Sequence, residues 1–400
     1  MKITKIDVYR LDGGVESARR KPIVCRVHTD EGIYGDGEAG IALGVGADGA
    51  YGMVKALAAM CIGKDPMNID AIWSTLHNKT FWGLGCGPIF CAGMSALDIA
   101  LMDIKGKALG VPCYQLLGGK YRSNMRSYAS QIHFGWNDRQ GPYGKTEDFV
   151  KIVEYCLELG YDAVKLDFTQ YDRNGVRIPK ERCEGIIDID LMNLVEERMR
   201  AIRENLGYGF DIIVENHART TLPGALQIGE LCDRYRCMAL EEPMGPMNPE
   251  MHEEVHKKIK TPIASGERIY TRWGYYDFFK LNAVQLIQPD ICNCGGLTEA
   301  RKICDMAEVF DATVQAHVAG APISTAAALH LEAAIPNFCI HEHHFRSTQE
   351  AMTKLCKYDY QPVNGRFTVP ELPGLGQELS DWAIEHALMH DVVDYTEAGV

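Results

Sequence analysis

Ile212-Ile213-Val214-Glu215-Asn216-His217 and Met238-Ala239-Leu240-Glu241-Glu242-Pro243 have the same construction, a short apolar run that ends on a glutamate. The pattern returns in Ile263-Ala264-Ser265-Gly266-Glu267, Leu286-Ile287-Gln288-Pro289-Asp290, Val314-Gln315-Ala316-His317 and Cys339-Ile340-His341-Glu342. The six ionisable residues, from Glu215 to Glu342, stand 26, 26, 23, 27 and 25 positions apart. Such an interval holds one strand, one helix and their loops. Strands separated by single helices pair in parallel through right-handed crossovers.

Extending the pattern in both directions gives eight β-rich runs: Arg126–Ser130, Ala163–Phe168, Ile212–Val214, Met238–Leu240, Pro262–Ala264, Ala283–Ile287, Thr313–Ala316 and Phe338–His341. Eight strand–helix units over this length match a (β/α)8 barrel. The gap between the second and third runs is about double the others. An inserted loop near Gln170–Gly185 is expected there. Upstream, Val8–Leu11 and Pro22–His28 read as strands, and a Gly-rich segment runs from Gly32 to Gly40. Met53–Met60 and Ser95–Leu109 read as helices, the second stopped by Gly110 and Pro112. The tail, Phe367 to Gly376, is rich in Pro and Gly and reads as an extended return. The expected organisation is an α+β capping domain over 1–122, a barrel over 123–365 and a returning segment over 366–400.

Forty-six per cent hydrophobic and 24% charged residues describe an ordinary globular enzyme. A net charge of −13 argues against wrapping nucleic acid or binding an anionic membrane. No apolar run reaches the roughly 18 residues of a membrane span. The first residues alternate like a strand and do not form a signal peptide. A cytoplasmic protein is expected, with its 14 cysteines reduced and mostly buried. The one-residue gap in Cys292-Asn293-Cys294 is too short for a zinc site. His341, His343 and His344 look superficially like zinc ligands, but neighbours on a strand face opposite ways.

In a barrel all strand C-termini share one face, where catalysis takes place. Glu215, Glu241 and Glu267 would therefore converge there. Three clustered carboxylates repel one another without a cation and suit Mg²⁺, a hard ion that prefers oxygen ligands. His217 lies two residues past Glu215, on the same face if the strand continues.

These residues together resemble the enolase superfamily, and within it the mandelate racemase-like subgroup, over essentially the whole chain. The resemblance implies Mg²⁺ on Glu215, Glu241 and Glu267, a His317–Asp290 dyad, and Glu342 near the substrate carboxylate. The usual first ligand is Asp, and Glu215 replaces it. The usual Lys-x-Lys of the second strand reads Lys165-Leu166-Asp167, without the second lysine. With His217, this looks like the sugar-acid dehydratases of the subgroup, which are galactonate dehydratase-like. The implied reaction converts an aldonate or aldarate into a 2-keto-3-deoxy acid. His317 takes the C2 proton, Asp290 orients His317, His217 protonates the departing C3 hydroxyl, and Lys165 neutralises carboxylate charge. Glu342, Asp167, Trp82 and His341 are the candidate substrate contacts, and Glu242 is expected to face outward. Loops Gly13–Lys21 and Trp82–Gly87 would cover the barrel mouth. A racemase or epimerase, and a non-catalytic acid-sugar binder, are the alternatives. A homo-oligomer is expected from the frequency of such assemblies.

Overall fold

Residues 1–14, 21–41 and 43–396 are described by the computed structural model. Period-two alternation builds an N-terminal sheet: β1 (Ile3–Arg10) pairs antiparallel with β2 (Ile23–Thr29), and β2 with β3 (Tyr34–Ala39). Helices α1 (Gly46–Ala59), α2 (Ile69–Lys79) and α3 (Pro88–Leu109) follow. Helix α3 starts seven residues earlier than the apolar pattern predicts. Gly87 and Pro88 make that start, since proline loses nothing at a first-turn position. Gly110, at φ 69°, ends it in the left-handed conformation. Sixteen of its 22 residues are buried, because it lies between the cap sheet and the barrel. Gly37 of β3 permits that approach: a Cβ there would sit 1.9 Å from the Ala96 carbonyl oxygen.

The barrel strands are β4 (Asn124–Ser130), β5 (Ala163–Leu166), β6 (Asp211–Glu215), β7 (Ala239–Glu241), β8 (Ile263–Ser265), β9 (Leu286–Ile287), β10 (Thr313–Val314) and β11 (His341–His344). Between them run α4 (Thr146–Glu158), α5 (Ile189–Leu206), α6 (Leu222–Arg234), α7 (Pro249–His256), α8 (Thr271–Lys280), α9 (Gly296–Val309) and α10 (Pro322–Ala334). The strands pair in parallel in the order β10-β9-β8-β7-β6-β5-β4-β11. A parallel bridge between Val314 and Phe338 completes the ring. The interior is packed by Tyr128, Ala163, Ile213, Ala239, Ala264, Leu286 and Ile340. The last strand is shifted toward the C-terminus of the expected run, since Phe338 makes only the closing bridge and regular pairing begins at His341. The expected insertion occupies the long connection between β5 and α5.

Strand β12 (Arg366–Thr368) pairs antiparallel with β4, and β13 (Met389–Asp394) pairs with β1. All 14 cysteines are free and 12 are buried. No described helix is long and apolar enough to cross a membrane. Six residues of the Gly13–Lys21 loop lie outside the described residues.

Candidate active site

Strand register brings the acids together. Glu215 ends β6 directly opposite Glu241, which ends β7. Lys165, on neighbouring β5, is 1% exposed and points its ammonium among them. It lies 3.1 Å from Glu215 Oε2 and 3.0 Å from Glu342 Oε1, and also bonds Glu241 Oε1. Burial opposes the Lys165 charge, but Glu241, Glu342 and Glu215 hold its pKa well above the ordinary value. Asp167 is therefore not the ion-pair partner of Lys165.

Two His–Asp dyads flank this cluster. His317 Nδ1 lies 2.8 Å from Asp290 Oδ2, which leaves Nε2 3.2 Å from Glu267 Oε2. His217 Nδ1 lies 3.2 Å from Asp167 Oδ2, and Gln131 Nε2 contacts both His217 Nε2 at 3.1 Å and Glu215 Oε2 at 3.2 Å. Asp167 and His217 follow the second and third barrel strands, Asp290 and His317 the sixth and seventh. In a ring of eight these positions are diametrically opposed. The sequence pattern exposes the second dyad only through Asp167 standing where lysine is usual. His217 does not reach the site by continuing the strand. It and Ala218 adopt φ of 47° and 53°, a left-handed turn that carries the ring toward Asp167.

Burial disfavours the charged form of both imidazoles. For His217, Glu215 and the Asp167 hydrogen bond outweigh burial and raise the pKa to about 9. For His317, Glu267, the Asp290 hydrogen bond and Glu342 raise it to about 10. Glu241 shifts the other way from its neighbour Glu215: burial, then Glu215, push its carboxyl well up. Its Oε2 is buried with no hydrogen-bond partner.

That unpaired oxygen and the all-carboxylate chemistry of Glu215, Glu241 and Glu267 fit a hard divalent cation. The three are not gathered as a finished cage. Among the described residues, no group of three or more His, Cys, Asp or Glu side chains is set to hold a metal. Lys165 holds Glu215 and Glu241, while Glu267 turns to His317 and to Arg268 Nη2 at 3.1 Å.

Three expectations need correction. Asp167 is fully buried and its oxygens accept from His217, Thr169 N and Thr169 Oγ1, so it supports His217 and is not free to touch a substrate. His341 is fully buried and its Nδ1 lies 2.6 Å from Glu332 Oε2, because strand alternation turns it away when Glu342 faces inward. Trp82 is 80% exposed against Phe81. Leu84, Gly85 and Cys86 of the same loop line a cavity of about 290 Å³ with Arg268, Tyr270 and Trp273. Glu242 is buried and not outward-facing. Its φ of 43° breaks the alternation, and it pairs with Arg268. Burial, then Glu267, raise its pKa to about 8. Glu342 is buried too, with Oε1 accepting from Ser130 Oγ at 2.6 Å and Oε2 from Val318 N at 2.8 Å.

Residues 148–383 match the family described as enolase C-terminal domain-like, and residues 14–118 match the N-terminal domain of mandelate racemase and muconate lactonizing enzyme. The chain belongs to the enolase superfamily. Within the superfamily it is 32% identical over 386 residues to a D-xylonate dehydratase of Haloferax volcanii, covering 96% of this chain and 88% of that protein. It is 32% identical over 393 residues to a D-galactonate dehydratase of Pectobacterium atrosepticum, covering 95% and 93%. A solved structure of an enolase superfamily member from Salmonella Typhimurium superimposes with a TM-score of 0.95 at 47% identity, over 98% of this chain and all of that one.

Proposed function

We propose that this enolase superfamily member dehydrates a sugar acid, an aldonate or aldarate, to a 2-keto-3-deoxy acid. The observation that carries the reading is the pair of opposed His–Asp dyads across a buried carboxylate cluster. Dehydration needs a base beside C2 and an acid beside the C3 hydroxyl. His317 serves as the base through Nε2, with its tautomer held by Asp290. His217, held by Asp167 on the opposite side of the cluster, serves as the acid. The C2–H electrons form the enol, the C3–O bond breaks as His217 delivers its proton, and water leaves. The enol then takes a proton at C3, releases its C2 hydroxyl proton to solvent and becomes the keto acid.

Glu215, Glu241 and Glu267 would hold Mg²⁺, which supplies the positive charge that favours losing a proton beside a carboxylate. Lys165 is placed to exchange partners among Glu215, Glu241, Glu342 and a substrate carboxylate. The names of the two dehydratase relatives support the substrate class. The opposition of the dyads also favours a second reading, epimerisation at C2, in which His217 returns a proton to the other face.

An end-point screen with Mg²⁺ over C4–C6 sugar acids, reading 2-keto acids as semicarbazones, tests the proposal. A product lost with EDTA and in His317→Asn is expected. No keto acid from any of them would contradict dehydration of that class.

A further inference from the structure

Regular pairing in β10 ends at Val314, three residues before His317. Beyond it the sheet supplies Gln315 N to Ile287 O at 2.9 Å and His317 N to Pro289 O at 3.2 Å. Three buried carboxylates hold the rest of the backbone. Ala316 N donates to Glu332 Oε1 at 3.3 Å, and Val318 N donates to Glu342 Oε2 at 2.8 Å. Ala321 N and Ser324 N donate to Glu38 Oε1 and Oε2 at 2.7 and 3.0 Å.

Glu332 and Glu342 belong to the barrel. Glu38 belongs to cap strand β3 and is 1% exposed. It therefore crosses between domains to seize the turn between His317 and α10. The fit is close, since a Cβ on Gly320 would lie 2.5 Å from Glu38 Oε1. The residue next but one to Glu38 joins the other half of the dyad to the cap: Gly40 N donates to Cys292 O, two residues past Asp290, at 2.6 Å. The end of β3 thus holds the loops behind both His317 and Asp290.

We propose that Glu38 is a positioning residue for His317, so that docking of the cap completes the catalytic dyad as well as covering it. A charged acceptor fixes two backbone N–H groups more firmly than a neutral one. Glu38→Gln keeps the shape but turns an N–H toward one of these donors. This inference rests on the proposed dehydration for its kinetic readout, and a second readout is independent of it.

In Glu38→Gln, kcat should fall roughly 10–100-fold while KM stays within about threefold, as expected when reacting groups are misplaced by an ångström or less. The primary isotope effect with C2-deuterated acid should rise, because proton abstraction becomes slower relative to other steps. Without substrate, the NMR resonance of the His317 Nδ1 proton donated to Asp290, assigned by its loss in His317→Asn, should broaden or shift. If Glu38→Gln does not fold, Gly320→Ala presses the same contact from the loop side and should give the same signature. A melting temperature that falls while kcat, isotope effect and His317 resonance stay wild-type would overturn the proposal and leave Glu38 a domain fastener. If the wild type makes no keto acid, the dehydratase reading fails, and the His317 resonance still decides the role of Glu38.

Discussion

Lys165 is the residue on which the carboxylate cluster depends. It is a buried cation shared by Glu215, Glu241 and Glu342. Removing one partner from such a cluster leaves uncompensated buried charge, which costs about 3–5 kcal/mol. Lys165→Met is therefore predicted to lower the melting temperature sharply, with added Mg²⁺ raising it more in the variant than in wild type. Equal Mg²⁺ responses would contradict that. Asp167 makes a different prediction. Asp167→Asn removes the carboxylate behind His217, so dehydration should drop at least roughly tenfold while exchange of the C2 proton with solvent, the work proposed for His317, persists. Loss of both together would remove the division of labour between the dyads. At this scale the strand-end acids and His317 were readable, because one ionisable residue recurs per unit. Glu38, Glu332 and Arg268 were not, since each acquires its role from a partner far away in sequence. Glu242 was misread because a positive φ, invisible to periodicity, reverses its direction.

Among the elements, the shortest carry proposed catalytic residues. Strands β9 and β10 contribute two regularly paired residues each. Their apolar runs are longer because apolar residues continue through the bridged and hydrogen-bonded turns on either side. This is why the runs located the strands while misjudging their ends. The insertion between β5 and α5 was legible from spacing alone, and its end is set by a cap: Asp188 accepts from Leu191 N at 2.9 Å. Asp188→Ala should cost about 1 kcal/mol of stability, read from the urea midpoint. No change in midpoint would show that α5 is held by its packed face alone. The start of α3 at Pro88 was missed because residues 88–94 lack the polar face that marks an amphipathic helix; this helix is buried nearly all round.

The whole molecule is joined along the seam between cap, barrel and tail, which no local pattern encodes. His330 of α10 sits in this seam. Its Nδ1 accepts from Tyr114 N at 3.3 Å and its Nε2 donates to Leu375 O at 3.0 Å, an arrangement that needs the neutral ring. Burial pulls its pKa down to about 4. As pH falls below the ordinary value near 6.5, the unfolded chain binds the proton before the folded one. The stabilisation is thus complete above that value and is lost as pH falls toward 4. Between pH 7 and 5 the loss from this residue is about 2 kcal/mol. Burial raises Asp98 to about 7, which acts in the opposite sense, so the prediction is a difference. Urea unfolding of wild type should weaken more than that of His330→Gln over this interval, and parallel curves would contradict the assignment.

The claim that two opposed dyads remove a proton and a hydroxyl from one substrate is tested most directly by incubating the protein with Mg²⁺ and sugar acids in D₂O and following the ¹H NMR spectrum. The account predicts loss of the C2 proton together with new C3 methylene signals carrying one deuterium, the mark of a 2-keto-3-deoxy acid. Exchange or inversion at C2 with the C3 hydroxyl retained in every acid would contradict it and assign His217 to returning a proton instead of expelling water.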